Sequence, residues 1–148
     1  MLYILIGVFI FWLDYVLKNA AEKHLTEHVD QPAFHNMLLL TKYHNEGAVL
    51  NIGSRKKAIV RYLAVILTIV MTVVFLVTIG KRGNRLLKAG LAMLLGGAFS
   101  NTYDRLNRGY VVDYFRLNVP GESIKKLIFN ISDFFILIGA MITAVKMI

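Results

Sequence analysis

The chain has 148 residues, about one domain's worth, of which 57% are hydrophobic and 18% charged. Soluble domains carry roughly 45–50% apolar and about 25% charged residues, so this balance rules out disorder and argues against a water-soluble globule. Cysteine is absent, which excludes a disulfide framework, a thiolate zinc site and a thiol nucleophile; a formal charge of +8 in so apolar a chain points to anionic lipid headgroups rather than nucleic acid.

Apolar residues gather into four runs. The first, 1–13, is uncharged and continues through Asp14 to Leu17. No basic segment precedes it, and Asp14 and Lys18 stand where small residues would mark a cleavage site, so it reads as a retained helix. Residues 33–43 (Ala-Phe-His-Asn-Met-Leu-Leu-Leu-Thr-Lys-Tyr) read as a strand, with Pro32, Gly47 and Gly53 as turns. The second run, 62–79, is uncharged and long enough to cross a hydrocarbon layer of about 30 Å at about 1.5 Å per residue. Lys81, Arg82, Arg85 and Lys88 follow with no acid among them, which assigns this connection to the cytoplasmic side. The third run, 86–103, holds only Lys88. Residues 109–117, rich in β-branched and aromatic side chains, read as a second strand, and Pro120 and Gly121 as turns. The fourth run, 127–145, contains Asn130 and Asp133. The expected architecture is a single integral-membrane domain over 1–148, mainly α, with transmembrane helices at about 1–17, 60–80, 86–104 and 127–146. Four crossings put both termini on one side and a small sheet on the outer membrane surface.

Ionisable groups near a bilayer's interior are costly, roughly 2.5–3.5 kcal/mol at its centre on insertion scales, and are functional candidates for that reason. Asp14 and Lys18, spaced i, i+4, suit an ion pair at the interface. Asn101, Asp104 and Arg105 share a helix face with Gly97, an arrangement fit for a buried network in which the guanidinium bridges a carboxylate and backbone carbonyls. Gly96 with Ser100, and Gly97 with Asn101, have the small-residue spacing that lets helices approach closely. Asp113, after two valines in the second strand, and Asp133, entering the fourth run with no basic residue within a turn on either side, have no obvious local ion-pair partner. Two carboxyls meeting in a low-dielectric site share one proton, leaving one as base and the other as acid, and such a pair activates water against a peptide carbonyl. Spacing alone leaves open whether these two meet.

Other chemistries fit less well. His24 and His28 are spaced to clasp a metal from one helix face, but Glu27 precedes the second histidine where the zinc-protease pattern wants Glu after the first; they read as a solvated helix end, and no metal site is expected. Ser54, Ser100, Ser123 and Ser132 lie outside any Gly-x-Ser-x-Gly elbow, and no phosphate-binding glycine loop is present.

The stretch Gly96-Gly97-Ala98-Phe99-Ser100-Asn101-Thr102-Tyr103-Asp104-Arg105-Leu106-Asn107-Arg108-Gly109-Tyr110-Val111-Val112-Asp113-Tyr114 closely resembles the signature of the lipoprotein signal peptidases, or signal peptidase II. Three further blocks agree in order and spacing: Asp14-Tyr15-Val16-Leu17-Lys18, Asn45-Glu46-Gly47-Ala48 and Phe129-Asn130-Ile131-Ser132-Asp133. The resemblance implies an aspartic endopeptidase of the bacterial cytoplasmic (inner) membrane that cuts prolipoproteins at their lipobox, just before a diacylglyceryl-modified cysteine. It implies four transmembrane helices with a small extracytoplasmic β-cradle and a short surface helix, the site toward the outer face. It makes Asp113 and Asp133 the catalytic dyad, with Asp14, Asn45, Gly47, Asn101, Asp104, Arg105 and Asn130 shaping the site and binding substrate. Membrane lipids and globomycin-like inhibitors are the further partners implied; no metal or organic cofactor and no nucleic acid is expected.

The match has departures. Leu50 and Tyr114 each stand where the family usually has Phe, Ser132 where it has Ala, and Thr102-Tyr103 where aliphatic residues are commoner. None removes a carboxylate. They leave room for a catalytically weak or inactive paralogue that binds lipoproteins or lipids. A proton-coupled transporter using the same carboxylates is a third reading, and the chain lacks the inverted repeat that would favour it.

Overall fold

In a computed structural model the described residues are 1–47, 56–121 and 127–147. Ala48, Leu50, Gly53, Ser54 and Ser123 lie outside them. The elements follow in the order α1 (Leu2–His24), β1 (Gln31–Ala33), β2 (Leu38–Asn45), α2 (Lys57–Ile79), α3 (Arg85–Asn107), β3 (Val111–Leu117) and α4 (Ile131–Met147). The molecule is mainly helical, with one small antiparallel sheet ordered β1-β2-β3. Among the described residues there is no separate short surface helix.

The helix α3 lies at the centre, with α1, α2 and α4 all packed on it. Glycine makes this closeness achievable. A Cβ on Gly96 would stand 2.6 Å from the Gly7 carbonyl oxygen of α1, and one on Gly97 would stand 2.6 Å from the Ser132 carbonyl oxygen of α4. Toward the end where α2 connects to α3, Leu91, Ala92 and Leu95 of α3 pack with Phe75 of α2. At the other end Ala21 of α1 packs with Val112 and Tyr114 of β3.

The outward faces are apolar. Leu2, Leu5, Phe9 and Trp12 of α1, and Leu63, Leu67, Val70 and Val77 of α2, are each half or more exposed. A continuous surface of this kind is unstable in water and natural in lipid. Among the described residues α1 and α2 are long and apolar enough to cross a membrane, with mean hydropathies of 1.6 and 2.7. Ser100, Asn101, Thr102 and Asp104 of α3 turn inward and are buried. The helix α4 has 17 residues and a high mean apolarity broken in its first turn by Asp133.

Two sequence expectations for the sheet need correction. The strand expected over 33–43 is a hairpin: Phe34, His35 and Asn36 take φ of +48°, +56° and +66°, left-handed values that break an extended run. Pro32 is not a turn residue but sits in β1 opposite Leu39, on an edge strand, where its missing N–H is harmless. The second expected strand shortens to Val111–Leu117 and pairs with β2, Tyr43 facing Asp113 and Asn45 facing Val111, with a bulge between Leu40 and Tyr43.

Candidate active site

Asp113 and Asp133 are joined through the backbone entering α4. Phe129 N–H donates to the Phe115 carbonyl (2.8 Å) and Phe115 N–H returns the bond (3.1 Å), so the chain before α4 runs alongside β3. This sets Asn130 next to Asp113. Asn130 and Asp133 then form a capping box at the start of α4: Asp133 N–H donates to Asn130 Oδ1 and Asn130 N–H donates to Asp133 Oδ2, each at 3.1 Å. With its oxygen occupied, Asn130 has only Nδ2 left for Asp113 Oδ1, at 2.7 Å.

Two more asparagines complete the pattern. Asn45 Nδ2 donates to Asp113 Oδ2 at 3.0 Å while its Oδ1 accepts from Gly47 N–H at 3.1 Å. Asn101 Nδ2 donates to Asp133 Oδ1 at 3.0 Å while its Oδ1 accepts from Lys18 Nζ at 2.8 Å. In all three an obligatory donor holds the amide oxygen, so the polarity of each amide is determined and every one presents N–H to a carboxylate. Both oxygens of both aspartates thereby receive a donor. Among the described residues neither aspartate forms an ion pair. Asp113 is 2% exposed. Burial, and then the charge of Asp133, push its carboxyl up to about 7 from an ordinary 3.8, against the opposing pull of the Asn45 and Asn130 donors and Lys18.

Behind the pair lies a second, fully buried network. Asp14 is 0% and Lys18 1% exposed, and they pair at 2.8 Å. The ion pair expected at the interface is therefore in the interior, because α1 turns this face onto α3. Lys18 Nζ also reaches Asp104 Oδ2 (3.0 Å) and Ser100 Oγ (3.1 Å). Asp104 accepts from Val112 N–H (3.2 Å), pinning the strand just before Asp113. Arg105 does not bridge a carboxylate as expected; its Nη2 donates to the Gly47 carbonyl (2.9 Å) and its Nη1 to the Asn101 carbonyl (3.3 Å). Asp104 is already taken by Lys18 and by Arg108 Nε at 3.2 Å, one turn further on. The buried Nε of Arg105 has no hydrogen-bond partner among the described residues.

The residues singled out in the sequence thus converge: Asn45, Asn101 and Asn130 touch the aspartates, Arg105 binds the Gly47 carbonyl two residues after β2, and Asp14 and Asp104 hold the elements behind. Sequence reasoning passed over Lys18 as a determinant of the site, although its i, i+4 spacing from Asp14 was visible, and treated Tyr114 and Ser132 only as departures. The Tyr114 hydroxyl donates to Asp14 Oδ1 (3.0 Å) and Ser132 Oγ to Asp14 Oδ2 (2.6 Å). Burial and the Asp14 charge raise the Tyr114 phenol far above its usual range, so it stays a donor. His28 lies beyond the end of α1 at φ +61°, against Tyr43, and does not share a helix face with His24. Among the described residues no three His, Asp or Glu side chains are grouped to hold a metal ion.

A lipid-facing helical body with two amide-clamped aspartates at one end, Asp113 buried and Asp133 half-buried, has the makings of a membrane-embedded aspartic hydrolase. The family model described as signal peptidase (SPase) II matches residues 6–148. Lipoprotein signal peptidases of Caldanaerobacter subterraneus subsp. tengcongensis and Aquifex aeolicus are 32% and 33% identical, over 98% of this chain in each case and 94% and 84% of their own lengths. Two solved bacterial membrane enzymes superpose with TM-scores of 0.83 and 0.80 at 27% identity, covering 98% and 99% of this chain and 86% and 92% of theirs. The chain belongs to the signal peptidase II family and is an integral membrane aspartic peptidase.

Proposed function

We propose that this enzyme removes signal peptides from bacterial prolipoproteins, cutting before the diacylglyceryl-modified cysteine of the lipobox, with Asp113 and Asp133 as the catalytic dyad. The observation that carries the reading is the clamp on those two side chains: residues far apart in the chain, linked by Asn130 and supplied on every oxygen with a donor of determined polarity. The names of relatives about 30% identical over almost the whole chain support the substrate class.

Asp133 stands in the first turn of α4, where the helix dipole favours negative charge, and acts as the base. Asp113, pushed up to about 7, holds the shared proton. Asp133 takes a proton from water as its oxygen attacks the scissile carbonyl carbon; Asp113 polarises the carbonyl oxygen and its proton satisfies the developing oxyanion. Collapse of the tetrahedral intermediate breaks the C–N bond, and the proton gained by the dyad passes to the leaving amine. The unpartnered Arg105 Nε is a further donor for a substrate oxygen.

The setting is the cytoplasmic membrane, with four crossings by α1 to α4. The basic cluster Lys81, Arg82, Arg85 and Lys88 faces the cytoplasm, and the sheet and dyad, at the opposite helix ends, face outward. The substrate, an apolar helix with lipid tails, reaches the site laterally while its acyl chains stay in lipid, and globomycin-like peptides compete there. A binding-only paralogue is not favoured, since Asp14, Asn45, Asn101, Asp104, Asp113, Asn130 and Asp133 all stand in one hydrogen-bonded network.

The test is incubation of purified full-length protein with a diacylglyceryl-modified prolipoprotein. The parent is expected to release a product beginning at the lipidated cysteine, and Asp113→Asn and Asp133→Asn, each nearly isosteric, to release none while remaining in the membrane. Parental cleavage rates in either variant would remove the dyad.

A further inference from the structure

Tyr114 directly follows Asp113 and Ser132 directly precedes Asp133, and both hydroxyls end on one carboxylate. In a strand, neighbours point to opposite faces, so Asp113 faces the site while Tyr114 faces α1. In a helix, neighbours are about 100° apart, and Ser132 likewise turns to α1 when Asp133 turns to the site. Tyr114 Oη donates to Asp14 Oδ1 at 3.0 Å, Ser132 Oγ to Asp14 Oδ2 at 2.6 Å. The phenol oxygen also accepts from Ile131 N–H, at 3.0 Å, closing a loop between β3 and the first residue of α4.

Asp14 is itself immobile. It is completely buried, and Lys18 Nζ at 2.8 Å and Ser100 Oγ at 2.6 Å hold its Oδ2. Packing alone does not require either hydroxyl, since a phenyl ring and a methyl group fill nearly the same space. Each polar oxygen is buried, Tyr114 7% and Ser132 0% exposed, and is tolerated because Asp14 receives it. The two oxygens of a planar carboxylate have a fixed separation, so groups bonded to one each are held in register with each other.

We propose that Tyr114 and Ser132 are positioning residues that act through Asp14, a single buried anchor that sets the spacing and aim of Asp113 and Asp133. The proposal rests on the reading of those two as the dyad. Pinning the residue behind each aspartate prevents β3 from rolling and α4 from turning, and complements the Phe115 and Phe129 backbone bonds on the same pair of elements. The two residues that depart from the family pattern next to the aspartates are thereby one device rather than two unrelated changes.

The experiment compares steady-state cleavage of a diacylglyceryl-modified prolipoprotein by the full chain and its Tyr114→Phe, Ser132→Ala and double variants. Each single change is expected to lower kcat about five- to tenfold, roughly 1 to 1.4 kcal/mol, with KM within about twofold. The double variant is expected to fall no further than either single one, because the link needs both ends. Single variants with kcat within about twofold of the parent, losses that multiply in the double, or a change confined to KM or thermal stability overturn the anchor. Ser132→Cys keeps the volume without a strong donor and replaces Ser132→Ala if that variant does not fold; a parental kcat in it is equally fatal. Asp113→Asn and Asp133→Asn run in parallel separate the two readings. Cleavage by those variants sinks the dyad, whereas their inactivity beside unaffected Tyr114→Phe and Ser132→Ala sinks the anchor alone.

Discussion

Lys18→Met keeps the length of the side chain and deletes one charge from the interior. The ammonium is 1% exposed and lies 2.8 Å from Asp14, 3.0 Å from Asp104 and 2.8 Å from the Asn101 amide oxygen. Removing one partner of a buried ion pair typically costs about 3–5 kcal/mol, because the other partner is left charged and unpaired. Here the stranded acids keep other donors: Asp104 retains Arg108 Nε and Val112 N–H, both at 3.2 Å, and Asp14 retains the hydroxyls of Ser100, Ser132 and Tyr114. The loss therefore falls near the lower end, about 3 kcal/mol, against a total stability of roughly 5–15 kcal/mol. At about 2–4 °C per kcal/mol for a chain of this size, Tm in detergent micelles, followed by circular dichroism, drops by roughly 6–12 °C. Lys18→Met with Asp14→Asn removes a stranded carboxylate as well and recovers part of that drop. Activity falls too, since Asn101 Oδ1 loses the ammonium that helps hold its amide nitrogen against Asp133. A Tm within about 2 °C of the parent would refute the assignment of Lys18 as the buried counter-ion.

Three further outcomes follow from the same geometry. On the proposed mechanism, with Asp113 pushed up to about 7 and acting in its protonated form, kcat falls about tenfold per pH unit above that value, and it falls again in acid where the base Asp133 takes up a proton, as a pH–rate profile will register. Its raised value also means that the stability Asp113 contributes is complete below about 3.8 and is lost as pH rises through about 7, visible as a declining Tm over that window. Asn45→Ala deletes a donor that favours the ionised form, so the alkaline limb moves to higher pH; a limb that stays in place or moves down contradicts the Asn45 contact. Gly97→Ala drives a Cβ to within 2.6 Å of the Ser132 carbonyl oxygen and is expected to cost about 1–3 kcal/mol together with most activity, whereas Gly80→Ala meets nothing within 4 Å and leaves both unchanged. Equal melting temperatures for the two alanine variants would count against glycine-mediated packing of α4 on α3.

Much of this molecule was legible before folding was considered. Uncharged runs as long as 62–79 can be stable only in lipid or in a large core, and 148 residues provide no such core, so the membrane class followed from composition and run length. Asp113 and Asp133 stood out because each sits in an apolar stretch without an obvious local ion-pair partner, and the glycines of α3 because their spacing is that of close helix contacts. Local signals misled where long-range packing overrode them. The run over 33–43 looked like one strand, but three left-handed residues fold it into a hairpin. Arg105 looked like the carboxylate's partner, but Arg108 and Lys18 reach Asp104 first.

Linear order thus determined which groups would be costly in lipid, and so which to suspect: Asp14, Asp104, Asp113 and Asp133 all stand in or beside apolar segments. Only the tertiary structure decided how each is neutralised or poised. An i, i+4 spacing shows that Asp14 and Lys18 can meet, whereas the burial of that pair, the polarity of three asparagine amides and the convergence of Tyr114 and Ser132 on Asp14 depend on contacts between segments many residues apart. Hydrogen bonds act over about 3 Å and are directional, so a sequence can name donors and acceptors, but the fold alone assigns them to each other.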